Sequence, residues 1–426
     1  MVQRPLQAFY CCISSSFMAS DKPSTLYFFS LDAIRGFAAL IVVLCHWQFF
    51  FYKDYTVQTA PLEDFHLPLY SLFSILYHHA FYAVDLFFLL SGFIFFWFYA
   101  EKIAKGTINF NYFITYRFTR LYPVHVLSLL AIIPLQMWMV KQSGHTFIIQ
   151  NNDYWHFLLN LLVIHSWGFE KTPALNGFNG PSWSVSVELL LYLLFFLLAW
   201  RRQYDKKGLL ILIVIAGAVI QAFYPMIGQG IYSFFLGALV YHIYSWLCTK
   251  KDVRKLTRNV AITAALLWCY ILLEYYFSFS RQLFFSFTHK ALPAWTDDNN
   301  EKIFYLATNT FFRTIVSPVT VLALAMAETI KSGIRAKWTQ VLGNASYCLY
   351  LIHFPLMVAS AVLVNALGLP QTIFQSPLTL LIFYIVLITL SILGHYYFEL
   401  PVQQTLRQKL IKKRKSTVPA AIIPEG

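Results

Sequence analysis

The sequence predicts an all-α polytopic integral membrane protein with about ten transmembrane helices and both termini in the cytoplasm. Three observations carry that prediction. Of 426 residues 58% are hydrophobic, only 12% are charged, and apolar runs of bilayer-spanning length recur along the chain. A soluble domain carries roughly 25% charged residues, about twice this share. The net charge of +13 is read loop by loop as topology, so it gives no reason to expect a nucleic-acid partner. The six cysteines, Cys11, Cys12, Cys45, Cys248, Cys269 and Cys348, show no CxxC or metal-ligand spacing. Four lie in apolar runs and read as small core residues, and no bound metal is expected.

Taken in chain order, spans are expected at about 31–52, 79–99, 121–140, 185–200, 208–225, 229–248, 259–279, 308–330, 342–366 and 377–398. One set of alternate loops then holds 24 basic residues, against six in the opposite set (Lys53, Lys141, Lys171, Arg281, Lys290 and Lys302). By the positive-inside rule the richer set is cytoplasmic. The weakly apolar stretch Phe9–Phe17 is too short to span. An eleventh span over Trp155–Trp167 would move the later basic clusters outside, so that stretch is expected to be re-entrant or interfacial. The chain divides into a cytoplasmic N-terminal segment (1–30), a transmembrane domain (31–401) and a basic cytoplasmic tail (402–426). The tail, KLIKKRK, is read as a topology anchor rather than a lipid-binding patch.

The first span, LDAIRGFAALIVVLCHWQFFFY, carries Arg35 and His46. Ionisable residues in a span are costly and default to a functional hypothesis. Eleven residues at roughly 100° each bring both onto one helix face, separated along the axis by about 16 Å. Arg35 sits toward the cytoplasmic end beside Asp32, and His46 in the outer half. A snorkelling arginine and a helix-packing histidine are the bland alternative.

The second span carries Asp85 and then Ser91–Gly92, a small-residue site suited to close helix approach. In RFTRLYP, Arg117 and Arg120 are three apart and share a face, where they can grip phosphate or serve as ordinary topology charges. NGPSWSVSVELLLYLL starts a helix near Pro181, placing Glu188 in apolar surroundings where it needs a partner. LGNASYCLYLIHFP brings Ser346, Tyr350 and His353 to one side of the ninth span. His353 suits catalysis or, before Pro355, helix packing. Glu399, in YYFELP at the cytoplasmic edge, is expected to pair with one of the many cations. The outer-loop aromatics, Trp183 among them, suit sugar stacking or an interfacial belt. These charges suit a reaction run across the membrane; they equally suit a proton-coupled transporter or exporter using His46, Glu188 and Asp85 as a relay. Transporters often show paired internal repeats, and none is visible in this sequence.

Six elements in order resemble the membrane-bound acyltransferase-3 family: LDAIRGFAALIVVLCH, DLFFLLSGF, RFTRLYP, PSWSVSVE, LGNASYCLYLIHFP and FELP, from residue 31 to about 401. The resemblance implies O-acylation of a carbohydrate-type or glycolipid acceptor from cytoplasmic acyl-CoA, with acetyl as the default group and no permanently bound cofactor. It implies His46 as the essential histidine and Arg35 as its paired arginine. Arg117 and Arg120 become the RxxR element that helps hold the donor, and Glu188 the glutamate of the PSWS segment. Trp183, Asp85, Tyr350 and His353 are candidate substrate contacts. The chain resembles the stand-alone form, without a fused extracytoplasmic hydrolase-like domain. The bacterial inner membrane is the implied location, with the lipid bilayer as surroundings.

Overall fold

A computed structural model describes residues 27–52, 66–148, 151–170, 177–292, 294–331 and 333–415. The Phe9–Phe17 stretch, Arg4, Lys22, Lys53 and Lys171 lie outside these residues, as do most of segment 1–30 and the end of the tail. Among the described residues nine helices are long and apolar enough to cross a membrane. They are α1 (Phe29–Phe51), α3 (Tyr82–Ala104), α4 (Phe110–Ser143), α6 (Gly180–Trp200), α8 (Pro225–Cys248), α9 (Val253–Phe277), α11 (Asp297–Thr329), α12 (Lys337–Ala366) and α13 (Pro377–Ile411). Shorter helices fill the gaps: α2 (Tyr70–His79), α5 (Tyr154–Leu161), α7 (Lys207–Ile220) and α10 (Phe279–Ala291). The chain is an all-α, multi-pass integral membrane protein.

Every expected span has its helix, with two differences of length. The stretch expected at 208–225 becomes α7, whose 14 residues reach about 21 Å, short of the ~30 Å hydrocarbon core. A turn after Ile220 and Pro225 at the first turn of α8 end it there, because proline is preorganised to open a helix. The span expected from 121 instead begins at Phe110, where the Asn109 side chain accepts a hydrogen bond from the Tyr112 N–H at 2.9 Å and caps the helix. Its 34 residues reach about 51 Å, so the polar first turns carrying Arg117 extend past the apolar core. The Trp155–Trp167 stretch supplies only the eight-residue α5 and turns. Its buried His156, Leu159 and Asn160 tuck into the bundle, while Trp167 Nε1 donates to the Ser186 carbonyl of α6. The stretch was expected to be re-entrant or interfacial, and its eight helical residues are too few to form a span.

Contacts between the basic loops place them at one end of the bundle. Arg202 Nε donates to the Ala104 carbonyl at 3.2 Å, and the Ile334 N–H to Ser30 Oγ at 2.7 Å. Two crossings set the packing. A Cβ on Gly92 of α3 would stand 1.8 Å from the Phe234 carbonyl oxygen of α8, and one on Gly237 would stand 2.1 Å from the Leu89 oxygen. Glycine at both sites is therefore what lets these backbones meet, as the Ser91–Gly92 reading anticipated. Gly36 and Gly343 do the same for α1 and α12, where a Cβ on Gly343 would meet the Asp32 oxygen at 2.4 Å.

Three helices contain a π-helical turn: Phe96–Ala100 in α3, Phe312–Val316 in α11 and His395–Glu399 in α13. Each contains a polar side chain engaged by a partner: Tyr99, Arg313 and Glu399 respectively. Arg313, in the second, pairs with Asp85 at 2.9 Å between Nη2 and Oδ1, and Asp85 also accepts a hydrogen bond from Ser233 Oγ at 2.5 Å. Breaking a buried pair leaves an uncompensated charge and costs about 3–5 kcal/mol. Asp85→Ala should therefore lower thermal stability in detergent sharply. Asp85→Leu combined with Arg313→Met should recover much of it, and a melting scan of the three proteins checks both points.

Candidate active site

A cavity of about 500 Å³ runs inside the bundle, walled by α1, α3, α4, α6, α12 and α13. Tyr27, 51% exposed, lies at its basic end, and Ser184 and Tyr350 at its inner end. Its charged lining consists of Arg35, Arg117, Arg120 and Arg407 with Asp32, Glu188 and Glu399. All three arginines expected at the donor site thus reach one space.

Each guanidinium is held differently. Arg35 donates from Nε to Ser346 Oγ and from Nη2 to the Gly343 carbonyl, both at 3.1 Å, and pairs with Asp32 at 3.0 Å. Asp32 also accepts from the Tyr27 hydroxyl. Arg35 is therefore a clamp between α1 and α12 as well as a charge on the cavity wall. Arg117 donates to the Tyr99 hydroxyl at 2.5 Å and lies over the Phe95 and Tyr99 rings, while its buried Nε has no partner among the described residues. Arg120 faces the cavity in the field of Tyr192, Glu188, Glu399 and Asp32. A guanidinium offers five donors in a planar fork, so these two groups keep capacity for an anionic ligand.

Glu188 accepts from Tyr192 at 2.5 Å and from Ser91 at 3.2 Å. It belongs to the arginine-lined space, and the two groups that hold it are Tyr192 and Ser91 rather than His46. Tyr350 also lines the cavity, donating to the Pro181 carbonyl at 2.8 Å and accepting from Ser184 at 2.9 Å. Trp183 stands at the start of α6, half-buried, with its ring 6.0 Å from Phe88. Asp85 is outside the cavity, engaged by Arg313 and Ser233.

His46 lies beyond the cavity wall, half-buried, with its Nδ1 2.8 Å from Nε2 of His353. The two imidazoles are parallel to within 1°. His353 is fully buried, and its Nδ1 is 2.6 Å from the Tyr350 carbonyl oxygen. The link to the cavity is Tyr350, whose ring is 5.8 Å from His353 and 5.7 Å from Phe87, another lining residue. The shared face expected for Arg35 and His46 is present, since both reach α12, at Ser346 and His353 respectively.

Sequence reasoning missed part of the lining. Arg407, read as a tail charge, packs over Tyr116 and donates from Nε to Thr119 at 3.2 Å, inside the cavity. Glu399 pairs with His395 at 2.8 Å and accepts from Cys348 at 3.3 Å, so the expected lysine or arginine partner is corrected to a histidine on its own helix. The pair stands four residues apart on one helix, a spacing that brings side chains together, and both residues line the cavity wall. Arg313 did have a signal: with Arg35 it is one of two basic residues that the expected spans and basic loops leave inside the membrane.

Apolar helices of bilayer-spanning length around a cavity lined by four arginines, with a histidine pair beyond its inner wall, define a multi-pass membrane protein with an internal charged site. The chain belongs to the acyltransferase-3 family, described as an acyltransferase domain, whose pattern matches residues 28–396. It is similar to the acyltransferase MdmB of Streptomyces mycarofaciens, 35% identical over 179 residues, 42% of this chain and 40% of that protein. It is also similar to Protein 2 in picA locus of Rhizobium radiobacter, 39% identical over 102 residues, 24% of this chain and 42% of that protein. The matched segments thus span about two-fifths of each relative. No solved structure matches.

Proposed function

We propose that this protein moves an acyl group, acetyl by default, from cytoplasmic acyl-CoA to a hydroxyl of a carbohydrate-type or glycolipid acceptor at or across a bacterial inner membrane. The observation that carries the reading is the convergence of Arg35, Arg117, Arg120 and Arg407 on one cavity that leads to Tyr350, next to the His46–His353 pair. In it, donor phosphates rest near Arg117, Arg120 and Arg407, because paired guanidinium forks favour phosphate geometry. The thioester end points inward past Tyr350 and Phe87. The acceptor meets it at His46.

The chemistry needs one base and one activated carbonyl. His46 removes the acceptor hydroxyl proton as the oxygen attacks the thioester carbon. The tetrahedral intermediate collapses, the C–S bond breaks, and the proton held on His46 passes to the leaving thiolate. Ester and free CoA thiol result, in balance. Glu188, held by Ser91 and Tyr192, lies on the donor side of this path and keeps Arg120 company rather than orienting His46.

The test uses the protein in liposomes with acetyl-CoA and a pool of carbohydrate acceptors, following release of free thiol. Acceptor-dependent release, with acetyl recovered on the acceptor as an alkali-labile ester, is expected. Absence of CoA binding and turnover, together with proton-driven flux of a solute, would replace this reading with the transporter.

A further inference from the structure

The two hydrogen bonds of His353 determine which nitrogen of His46 is free. The Tyr350 carbonyl oxygen can only accept, so the 2.6 Å contact requires a proton on His353 Nδ1. A neutral imidazole carries one N–H, which leaves His353 Nε2 as an acceptor. The 2.8 Å contact to His46 Nδ1 then requires that His46 supply the proton. His46 is left with a bare lone pair on Nε2. The alternative, a doubly protonated His353, would put a charge on a fully buried ring whose hydrogen-bond partners are a carbonyl and another imidazole. Protein interiors avoid such unpaired charges.

We propose that His353 is a positioning residue that locks His46 in the Nδ1–H tautomer, presenting Nε2 as the base. The proposal rests on the reading of His46 as the base, but the tautomer itself is a property of the resting protein. Hydrogen bonding at one imidazole nitrogen commonly dictates the role of the other. The partner is usually a carboxylate or a carbonyl; here it is a second imidazole, itself fixed by a backbone carbonyl one helical turn away. When His46 takes the acceptor proton on Nε2, its Nδ1–H still points at the His353 lone pair, so the new charge has a hydrogen-bond acceptor already in place. The relay stops there, because the Tyr350 carbonyl cannot take the proton that His353 carries on Nδ1.

Two measurements test this. Full-length protein with ¹⁵N-labelled histidine rings is examined in lipid, with the His46 signals identified by their loss in His46→Gln. The expected spectrum has His46 protonated on Nδ1 and bare on Nε2, and the reverse pattern overturns the proposal whatever the protein's activity. Kinetics then compare His353→Gln, which keeps an acceptor, with His353→Leu, which has none. Leucine should lower kcat by at least tenfold, up to the ~10²–10⁴ that a general base supplies, with donor KM changed less than threefold. Glutamine should recover part of that loss. A leucine variant with kcat within twofold of the parent, or equal losses in both variants, overturns it. If the parent protein transfers no acyl group at all, the proposed function fails while the ¹⁵N pattern still decides the tautomer.

Discussion

His46→Ala should reduce acyl transfer by about 10²–10⁴, the usual contribution of a positioned general base, while leaving CoA binding intact. The separation of effects follows from the geometry. His46 is not part of the arginine-lined cavity; it sits past Tyr350, hydrogen-bonded to His353. Truncating it removes one imidazole next to Phe49, whose ring lies 5.0 Å away, and leaves the donor side untouched. Thiol-release rates and CoA titrations on the same preparation check it. A folded variant that keeps most of its turnover would remove His46 from the chemistry.

Replacing Arg117 and Arg120 together by alanine should do the opposite, weakening donor affinity far more than kcat at saturation. Hydrogen bonds to charged groups contribute about 1.5–3 kcal/mol each, so two such contacts correspond to at least a hundredfold rise in Kd for CoA. Lysine at Arg120 should restore only part of it, since an ammonium keeps the charge but lacks the planar fork. The Arg117 variant carries a second effect, because its guanidinium also packs over Phe95 and Tyr99. Arg120, which stacks on no ring among the described residues, gives the cleaner reading. Equilibrium titration with CoA in detergent decides the matter, and unchanged affinity in the double variant would move the donor site elsewhere.

Much of this arrangement is legible in the sequence. The helices follow from apolar length, and α1's functional face follows from the eleven-residue spacing of Arg35 and His46. The close approach at Gly92 was visible because Ser91–Gly92 interrupts an otherwise bulky run. Less visible were the residues whose role depends on a neighbour contributed by another helix. His395 and Glu399 reach the cavity wall from α13, and Cys348 comes to Glu399 from α12 behind that wall. Arg407 looked like one more tail charge because nothing local shows that α13 continues past the membrane and folds its side chain against Tyr116.

The sequence by itself determined the all-α multi-pass class, the order of the apolar helices and the end of the bundle that collects the basic loops; it counted ten crossings where nine helices among the described residues are long enough to span. These are local matters: the bilayer asks only for apolar length and charge asymmetry, and both are written along the chain. Only the tertiary structure decided which polar group meets which. His46 and His353 are 307 residues apart, Asp85 and Arg313 228 apart. A buried polar side chain announces that it needs a partner, but the partner is chosen by helix packing. Glycine contacts set that packing, and they act across the whole bundle.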